Sequence, residues 1–303
     1  MIINKKIAIV GYGYWGKIIH RNLIDMGFKS IIICDTTLKK NNDYKALENI
    51  ANVFIATPIK FQYEIANFFL KKKINVFSEK IFALNLGQLQ YSTKLANKNN
   101  VKFRIGFIYL FNEKIKKIKE YLQKNNLKSP KYIFFSRKNF GPIRENSSSF
   151  LDLAVHDITI LNELIEFKKV NFLNKNFYRL NKKNLDDNYN ISFIYNKKAR
   201  IEMHGDWMFP HKKRSLVIKY ENDIISFDEN ENYFTHINSN NVNENFLKKT
   251  IKKKEINFIN LKSPMHLQLK SFLSKNNNDQ AYYFKKYNQI IDLVYEMYSS
   301  KKI

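Results

Sequence analysis

The first third of the chain alternates between short apolar runs and longer segments in which apolar residues recur at helical spacing. The runs, rich in β-branched and aromatic residues, lie at 6–10, 30–34, 52–56, 74–78 and 102–107. The segments with helical spacing lie between them, at 17–26, 62–71 and 86–98. Strands that alternate with helices predict a doubly wound α/β domain, in which helices cover both faces of a parallel sheet. Ligands of such sheets bind at the carboxyl ends of the strands.

Beyond residue 111 the pattern changes. A linking helix is predicted at 112–123, and strand-like runs follow at 132–137, 172–178, 191–195, 199–204, 215–219 and 224–227. Because several of these runs follow one another with no helix between them, they predict a large, open, mostly antiparallel sheet. The segment 222–262 is rich in Asn, Glu and Lys, and we expect exposed hairpins or a mobile loop there. Further helices are predicted at 264–274 and 281–298.

The two patterns predict two domains. A chain of 303 residues is long enough for two domains or one large one, with ample core. We expect an α/β domain at 1–112 and an α+β domain at 113–303. Helix 281–298 is expected to pack back toward the first domain.

A glycine-rich turn lies between the first predicted strand and the first predicted helix. Its sequence, Gly11-Tyr12-Gly13-Tyr14-Trp15-Gly16, has G-x-G-x-x-G spacing in a chain with only 8 glycines. In Rossmann domains the first glycine permits the tight turn, the second lets the backbone approach a pyrophosphate, and the third lets the helix pack on the strand. The alternative is a glycine turn that binds nothing.

The second predicted strand ends at Asp35. An acidic residue at this position accepts hydrogen bonds from a ribose 2′-hydroxyl and repels a 2′-phosphate. No arginine follows directly in the sequence. The domain at 1–112 is therefore predicted to be a dinucleotide-binding Rossmann domain that binds NAD in preference to NADP. We expect the α+β domain at 113–303 to bind the substrate.

Two short motifs follow later strands of the same sheet. Thr57-Pro58 comes after the third strand and Glu79-Lys80 after the fourth. Taken alone, Thr-Pro is typical of a turn and Glu-Lys of a solvated ion pair. Because both motifs fall at the carboxyl ends of parallel strands, where a nicotinamide would lie, we assign them to the cofactor site.

An apolar segment of the second domain carries three ionisable side chains. The run from Leu151 to Asp157 follows serines at 147–149, which are candidate N-caps, and predicts a helix over 149–167. Asp152 and His156 are four residues apart and share one face of that helix. The simpler interpretation is a capping aspartate beside a satisfied core histidine. The alternative is the acid and the base of an active site.

Composition narrows the functions to consider. The formal charge of +25 is typical of nucleic-acid binders, but the lysines are scattered and no zinc-finger, RNP-like or helix-turn-helix signature accompanies them. We attribute the charge to an excess of residues with AT-rich codons and predict no nucleic-acid partner. The single cysteine, Cys34, cannot form an intrachain disulfide, and no metal-ligand spacing occurs. No apolar run reaches the length of a membrane span, so we expect a cytoplasmic protein without a metal.

In combination, these motifs resemble those of the Gfo/Idh/MocA oxidoreductases. The glycine turn, Asp35, Thr57-Pro58, Glu79-Lys80 and the segment 152–157 occur in the order and rough spacing of that family, with weaker echoes at 207–214 and 264–267. The resemblance implies hydride transfer between a nicotinamide cofactor and a polyol, a sugar or a nucleotide-linked sugar. It also implies that Lys80, Asp152 and His156 form the active-site trio.

Two residues depart from the family pattern. Ile81 follows Lys80 where the family usually has proline, so the loop that carries the lysine could take a slightly different course. Gln62 stands where the family often has a histidine after the Thr-Pro motif. Neither departure removes a proposed catalytic group.

Oxidation of a secondary alcohol needs a base for the hydroxyl proton, an acceptor for the hydride and positive charge beside the developing alkoxide. His156 suits the base, because histidine titrates near neutral pH. Lys80 can supply the positive charge or be the base itself, and the sequence does not decide between the two. Asp152 would hold a substrate hydroxyl or orient the other groups.

The segment before the predicted catalytic helix carries two arginines, Arg137 and Arg144, which could grip a phosphate or carboxylate. By resemblance, family members with a similar arginine-bearing loop act on nucleotide sugars of the UDP-N-acetyl-hexosamine type used in surface-polysaccharide synthesis. The alternative is that both arginines are solvated surface charges.

Other functions stay open at this point. One is a polyol or inositol dehydrogenase. Another is an NAD(H)-binding regulator without turnover, and a third is a basic nucleic-acid binder. The open sheet of the second domain could also join copies of the chain in a homo-oligomer.

Overall fold

The computed structural model of the chain describes residues 6–36, 43–83, 85–141, 148–165, 170–180, 185–238, 252–274 and 278–298. The chain folds into two compact units. The first unit consists of Met1–Phe111 and Lys262–Tyr295, and the second of Asn112–Leu261 and Glu296–Ile303. The assignment of cofactor binding to one domain and substrate binding to the other stays a prediction.

Strands and helices are numbered here along the chain. The strands are β1 (Ile7–Val10), β2 (Ile31–Cys34), β3 (Asn52–Ile55), β4 (Asn75–Ser78), β5 (Phe103–Ile105), β6 (Tyr132–Phe140), β7 (Val170–Tyr178), β8 (Asn188–Tyr195), β9 (Ala199–Asp206), β10 (Met208–Lys219), β11 (Asp223–Asp228), β12 (Tyr233–Asn238) and β13 (Lys252–Asn257). The helices are α1 (Tyr14–Asp25), α2 (Ile59–Lys71), α3 (Leu86–Lys98), α4 (Glu113–Lys124), α5 (Val155–Leu164), α6 (Pro264–Leu273) and α7 (Gln280–Tyr298).

A parallel sheet with strand order β2-β1-β3-β4-β5 forms the centre of the first unit. The chain passes from β1 to β2 on one side and then crosses to β3 on the other side of β1. At such a reversal of order the loops after the two strands open a crevice at the carboxyl edge of the sheet. The predicted doubly wound parallel sheet is confirmed.

One part of the core of the first unit lies between this sheet and the apolar faces of α1 and α6. Ile19 and Leu23, one turn apart on α1, are fully buried in one cluster with Ile7 and Ile9 of β1. Leu269 of α6 is buried in the same cluster. The helical spacing of these apolar residues on α1 is what directs them to a single face.

Two cations near the edge strand β5 attach the later helices to the first unit. Lys102 donates a hydrogen bond from Nζ to the carbonyl of Phe272 at 3.3 Å, at the C-terminal end of α6, where the helix dipole favours positive charge. Arg104 is buried, pairs with Asp279 and lies 4.6 Å from the ring centroid of Tyr283.

An eight-stranded sheet of order β13-β12-β11-β10-β6-β9-β8-β7 forms the centre of the second unit. The pair β6–β9 is parallel, and the other pairs in this order are antiparallel. This confirms the predicted mostly antiparallel sheet. In the segment predicted to hold hairpins or a mobile loop, β11, β12 and β13 pair antiparallel, and residues 239–251 lie outside the described part of the chain.

The helix predicted over 149–167 is present at 150–164, and its first turn is not α-helical. A π-helical turn at Phe150–Ala154 comes first, and α5 follows it and ends at Leu164. Ile165 has extended backbone angles, and residue 167 lies outside the described residues. Of the candidate caps, Ser148 accepts a hydrogen bond from the N–H of Leu151 at 3.1 Å. Asp152 therefore lies in a π-helical turn and not in an α-helical one.

Among the described residues, no helix is both long enough and apolar enough to cross a membrane. In the same residues, no group of three or more His, Cys, Asp and Glu side chains is arranged to hold a metal ion.

A close contact across β8 and β9 allows a test of this fold. Gly205 pairs with Tyr189, and a Cβ atom at Gly205 would lie 2.0 Å from the tyrosine ring, which is buried and cannot swing into solvent. We expect Gly205→Ala to lower the free energy of unfolding by about 1 to 3 kcal/mol because the ring must shift in a packed core. Urea denaturation measures this change.

Gly87→Ala is the matched control for this substitution. Gly87 is exposed on α3, and the nearest heavy atom to its added Cβ, Oδ1 of Asn85, is 3.3 Å away. Its free energy of unfolding should change by less than about 0.5 kcal/mol. Equal stabilities of Gly205→Ala and the unmodified protein would contradict the contact.

Candidate active site

The glycine turn after β1 lies directly against the end of β3. Gly11 has a φ of 93°, and a Cβ atom there would lie 2.7 Å from the carbonyl carbon of Ala56. A Cβ at Gly16 would lie 2.1 Å from the carbonyl oxygen of Gly11. Packing within the protein therefore requires the first and third glycines. At Gly13 a Cβ would meet no protein atom within 4 Å, so the protein's own packing does not require the second glycine.

The N-terminus of α1 faces the same turn without a side-chain cap. Its N-cap residue is Gly13, which has no side chain that could accept a hydrogen bond from the first N–H groups. The first turn of the helix contains no acidic residue. The N–H groups at a helix start carry partial positive charge and bind anions such as phosphate.

The aromatic residues of the motif lie around the turn. The hydroxyl of Tyr12 is 2.6 Å from Nδ1 of His20 on α1, so its ring packs back onto that helix. Tyr14 is 70% exposed, and the ring of Trp15, 5.6 Å away between centroids, is partly buried against the core.

Asp35 lies beside the turn, directly after β2. Its carboxylate accepts a hydrogen bond from the N–H of Tyr12. The carboxylate is thus held next to the glycine loop, where the fold would present it to a ribose hydroxyl. Residues 37–42, which follow it, lie outside the described residues.

Thr57 follows β3 and contributes a buried hydroxyl. Its Oγ1 has no hydrogen-bond partner among the described residues. Its carbonyl accepts a hydrogen bond from Nε2 of Gln62 at 2.8 Å, and Pro58 caps the start of α2. A buried hydroxyl without a partner is costly unless a ligand completes it.

Gln62 joins two loops at the carboxyl edge of the sheet. Its side chain is 2% exposed, and its Oε1 accepts a hydrogen bond from the N–H of Phe82 at 3.0 Å. The same amide therefore holds the Thr57 turn after β3 and the loop after Lys80. The sequence identified Gln62 only as a departure from the family pattern, because no local motif indicates a bond to a residue 20 positions away.

Glu79 and Lys80 follow β4 in unlike environments. Glu79 is 6% exposed and its Oε2 accepts a hydrogen bond from the N–H of Lys80 at 3.3 Å. Burial raises the pKa of Glu79 to about 7, although the charge of Lys80 opposes the shift. Lys80 is half-buried, and the Lys80–Ile81 peptide bond is cis. This is not the solvated ion pair that the motif alone would indicate.

The residues of the first unit fit a bound dinucleotide. The uncapped helix N-terminus suits a pyrophosphate, and the lack of atoms around a Cβ at Gly13 would let that group approach the backbone. The buried hydroxyl of Thr57 offers a polar partner for the ligand. Asp35 suits a ribose hydroxyl.

Asp152 and His156 lie in the second unit. Asp152 belongs to the π-helical turn, and His156 to the first turn of α5, and both are half-buried. The N–H of Asp152 donates to the carbonyl of Ser148 at 3.1 Å. Their convergence with Lys80 on one substrate stays a prediction.

Of the two arginines that the sequence predicts to bind the substrate, the structure describes Arg137. Arg137 is 3% exposed, and its Nε and Nη2 each lie 2.8 Å from Oδ1 of Asp157. It is therefore not the solvated surface charge of the alternative interpretation, and its contact with a substrate stays a prediction. Arg144 lies outside the described residues.

Asp157 is buried and forms an ion pair with Arg137. Burial raises its pKa, and the guanidinium of Arg137 counteracts the shift. The buried hydroxyl of Tyr189 lies near this pair. Burial is the main cause that raises the pKa of this hydroxyl, and the charge of Asp157 raises it further. The chain thus places a buried ionic group directly after His156 in the sequence.

Comparison with known proteins identifies the site residues of the first unit. Residues 5–107, which contain the glycine turn, Asp35, Thr57 and Lys80, match the GFO_IDH_MocA model, described as an oxidoreductase family with an NAD-binding Rossmann fold. This segment belongs to the Gfo/Idh/MocA family. The resemblance seen in the motifs is confirmed, and so is NAD as the cofactor. No curated protein sequence matches the chain significantly.

Solved structures share the fold over nearly the whole chain. UDP-N-acetylglucosamine 3-dehydrogenase GnnA from Acidithiobacillus ferrooxidans is 15% identical with a TM-score of 0.77, and the match covers 96% of this chain and 95% of that one. GenD2 from gentamicin A biosynthesis, in complex with NAD, is 12% identical with a TM-score of 0.75 over 98% and 93% of the two chains. An NAD-binding oxidoreductase from Klebsiella pneumoniae is 12% identical with a TM-score of 0.76 over 98% and 96%. At these identities the likeness shows the fold.

The buried carboxyl of Glu79 predicts a pH-dependent stability. Its pKa of about 7 in the folded protein exceeds the ordinary value of 4.5, so its contribution to stability is complete below pH 4.5 and is lost as the pH rises through 7. The loss should be on the order of 3 kcal/mol. Glu79→Gln keeps the size of the side chain and should abolish this decline in urea denaturation curves recorded from pH 4.5 to pH 8.

Glu64→Gln is the control for this pH series. Glu64 is exposed on α2, and its substitution should leave the decline intact. Parallel pH dependences for Glu79→Gln and the unmodified protein would show that Glu79 is not the titrating group.

Substitution of Gly13, the second glycine of the turn, should weaken cofactor binding without preventing folding. Because a Cβ at Gly13 meets no protein atom within 4 Å, Gly13→Ala should fold, with a loss of stability of about 0.5 to 1 kcal/mol because alanine is a poorer N-cap than glycine. It should weaken NADH binding about tenfold or more, since the methyl group would occupy the space that the pyrophosphate approaches. Fluorescence titration with NADH measures the effect, and Gly87→Ala should bind normally. Normal NADH affinity in Gly13→Ala would refute the proposed seat of the cofactor.

Proposed function

We propose that the chain is an NAD-dependent dehydrogenase that oxidises a secondary hydroxyl of a sugar, with a nucleotide-linked N-acetyl-hexosamine as the substrate class. The observation that carries this proposal is the position of Lys80, directly after β4 and buried Glu79, at the edge of the sheet where the residues fit NAD. A half-buried ammonium at that edge suits a reaction that develops negative charge on oxygen.

The roles of the residues follow from the chemistry of alcohol oxidation. Bound NAD supplies the acceptor for the hydride. His156 or Lys80 takes the proton of the substrate hydroxyl, and the ammonium of Lys80 stabilises the developing alkoxide in the first case. Asp152, one turn before His156, holds a substrate hydroxyl or orients the imidazole.

The substrate class rests on two kinds of support. One is the fold shared with a UDP-N-acetylglucosamine 3-dehydrogenase, which acts on a nucleotide sugar. The other is the predicted anion-binding role of Arg137 and Arg144. The Nε and Nη2 of Arg137 are bonded to Asp157, so a direct contact with a diphosphate would use Nη1, which lies 3.7 Å from Glu229. Arg144 is the candidate for the second contact. A homo-oligomer through the eight-stranded sheet stays a prediction.

Turnover by substituted enzymes tests the proposal. With NAD and UDP-N-acetylglucosamine or its hexosamine relatives, NADH formation should fall about 10²- to 10⁴-fold in Lys80→Met and in His156→Asn, because each removes a group that carries charge or a proton in the transition state. The variant that lacks the base should also lose the pH dependence of turnover on its acidic side. Lys94→Met, at an exposed position on α3, should form NADH at the rate of the unmodified protein.

Two results would overturn the assignment in different ways. Near-normal turnover in both Lys80→Met and His156→Asn would refute the mechanism. Tight NADH binding by the unmodified protein, without oxidation of any sugar, would instead favour the alternative of a regulator that binds NAD(H) without turnover.

A further inference from the structure

A carboxylate from a distant part of the chain holds the start of the helix that carries Asp152 and His156. Asp186 lies between β7 and β8 and is 0% exposed. Its Oδ2 accepts a hydrogen bond from the hydroxyl of Ser148 at 2.6 Å, and its Oδ1 accepts one from the hydroxyl of Ser149 at 2.6 Å. The N–H of Phe150 also donates to Oδ1, at 3.0 Å.

Backbone bonds extend this contact to the π-helical turn. The carbonyl of Asp186 accepts the N–H of Ser149 at 3.1 Å. Ser148, in turn, accepts the N–H of Leu151 at its hydroxyl and the N–H of Asp152 at its carbonyl, each at 3.1 Å. The N–H groups that a helix start leaves without partners are thus bound by Asp186 directly or through Ser148. A movement of the Asp186 carboxylate would move residues 148–152 with it.

The energetics of this contact favour a fixed position. Burying a carboxylate is costly, and hydrogen bonds to a charged acceptor are shorter and stronger than neutral ones. Negative charge near a helix N-terminus is also stabilised by the helix dipole. A π-helical turn has poorer intrinsic stability than an α-helical one and is frequent at functional sites, so an external anchor decides where it begins.

We propose that Asp186 is a positioning residue for the Asp152 and His156 pair. It acts through Ser148, Ser149 and the N–H of Phe150, and it does not touch the substrate. The proposal rests on the function proposed above, because it assigns the role of placing two groups that act in that reaction.

The neighbouring residue Asp187 provides a matched control. It is also 0% exposed, and its Oδ2 accepts the N–H of Leu180 at 2.8 Å in its own loop. Asp187→Asn therefore removes a buried charge from the same loop while leaving the bonds of Asp186 in place. A general loss of stability should appear in both variants, whereas an effect on His156 should appear only in Asp186→Asn.

The experiment compares Asp186→Asn, Ser149→Ala and Asp187→Asn in the full chain. The imidazole resonance of His156 and its titration are followed by NMR, with His156→Asn to assign the signal. Asp186→Asn and Ser149→Ala should shift that resonance and lower kcat with UDP-N-acetylglucosamine about 10- to 100-fold, because small displacements of a catalytic group cost rate. NADH affinity should stay within about twofold, since the cofactor residues lie in the other unit. Asp187→Asn should leave the resonance and kcat unchanged.

The outcomes separate the inference from the function on which it rests. An unchanged His156 titration in Asp186→Asn, with a kcat equal to that of the unmodified protein, would overturn the positioning role. If Asp186→Asn does not fold, Ser149→Ala, which keeps the carboxylate, decides by the same measurements. If the unmodified protein oxidises no nucleotide sugar, the proposed function fails, and the NMR titration still decides whether Asp186 positions His156.

Discussion

The backbone of the Gly11 turn approaches the end of β3 so closely that a single Cβ atom would not fit between them. The distance of 2.7 Å from such an atom to Ala56 leaves glycine as the residue that the contact allows, and the φ of 93° imposes the same requirement. The contact places Thr57, the residue after Ala56, beside the turn that precedes α1. Packing within the protein at the edge of the sheet therefore brings these cofactor residues together.

Buried charges organise the rest of both units, and most of them are neutralised locally. Arg104, which is buried, pairs with the half-exposed Asp279, and Arg137 pairs with Asp157, which is buried as well, so that removal of either member of the second pair would leave the other buried without this partner. Asp186 accepts hydrogen bonds from two hydroxyls and an N–H group. Burial raises the pKa of Glu79 to about 7, because the charge of Lys80 and its 3.3 Å hydrogen bond oppose the shift only in part. The carboxyl beside the proposed catalytic lysine can therefore change its charge near neutral pH.

Local patterns predicted the elements well where the signal lies within a few residues. The bounds of α3 agree with its prediction, and the strands of the first sheet begin and end within two residues of theirs, because strand runs are short and glycine or polar residues bound them. The glycine turn could be interpreted for the same reason, since each glycine has a local steric role.

Sequence reasoning failed where the deciding partner is distant in the chain. The helix predicted from about residue 149 is present, but its first turn is π-helical, and the candidate N-caps Ser148 and Ser149 donate their hydroxyls to Asp186, 38 positions after Ser148. Asp157, 20 positions away, holds Arg137 inside the second unit, which contradicts the interpretation of this arginine as a solvated surface charge. Neither pairing has a period or a motif. Charge alone indicates that such residues need partners, and only the fold selects the partner.

The two departures from the family pattern are connected by one side chain. Ile81 occupies the position after Lys80 where the family usually has proline, and Phe82, the next residue, has a φ of 77°, which is unfavourable for a residue with a large side chain. The N–H of Phe82 is bonded to Oε1 of Gln62, the other departure, and its ring is buried 4.8 Å from that of Phe103. A glutamine amide can accept from Phe82 with its oxygen and donate to Thr57 with its nitrogen at the same time. The loop that presents Lys80 is therefore fixed to the Thr57 turn by Gln62, which binds the residue directly after Ile81.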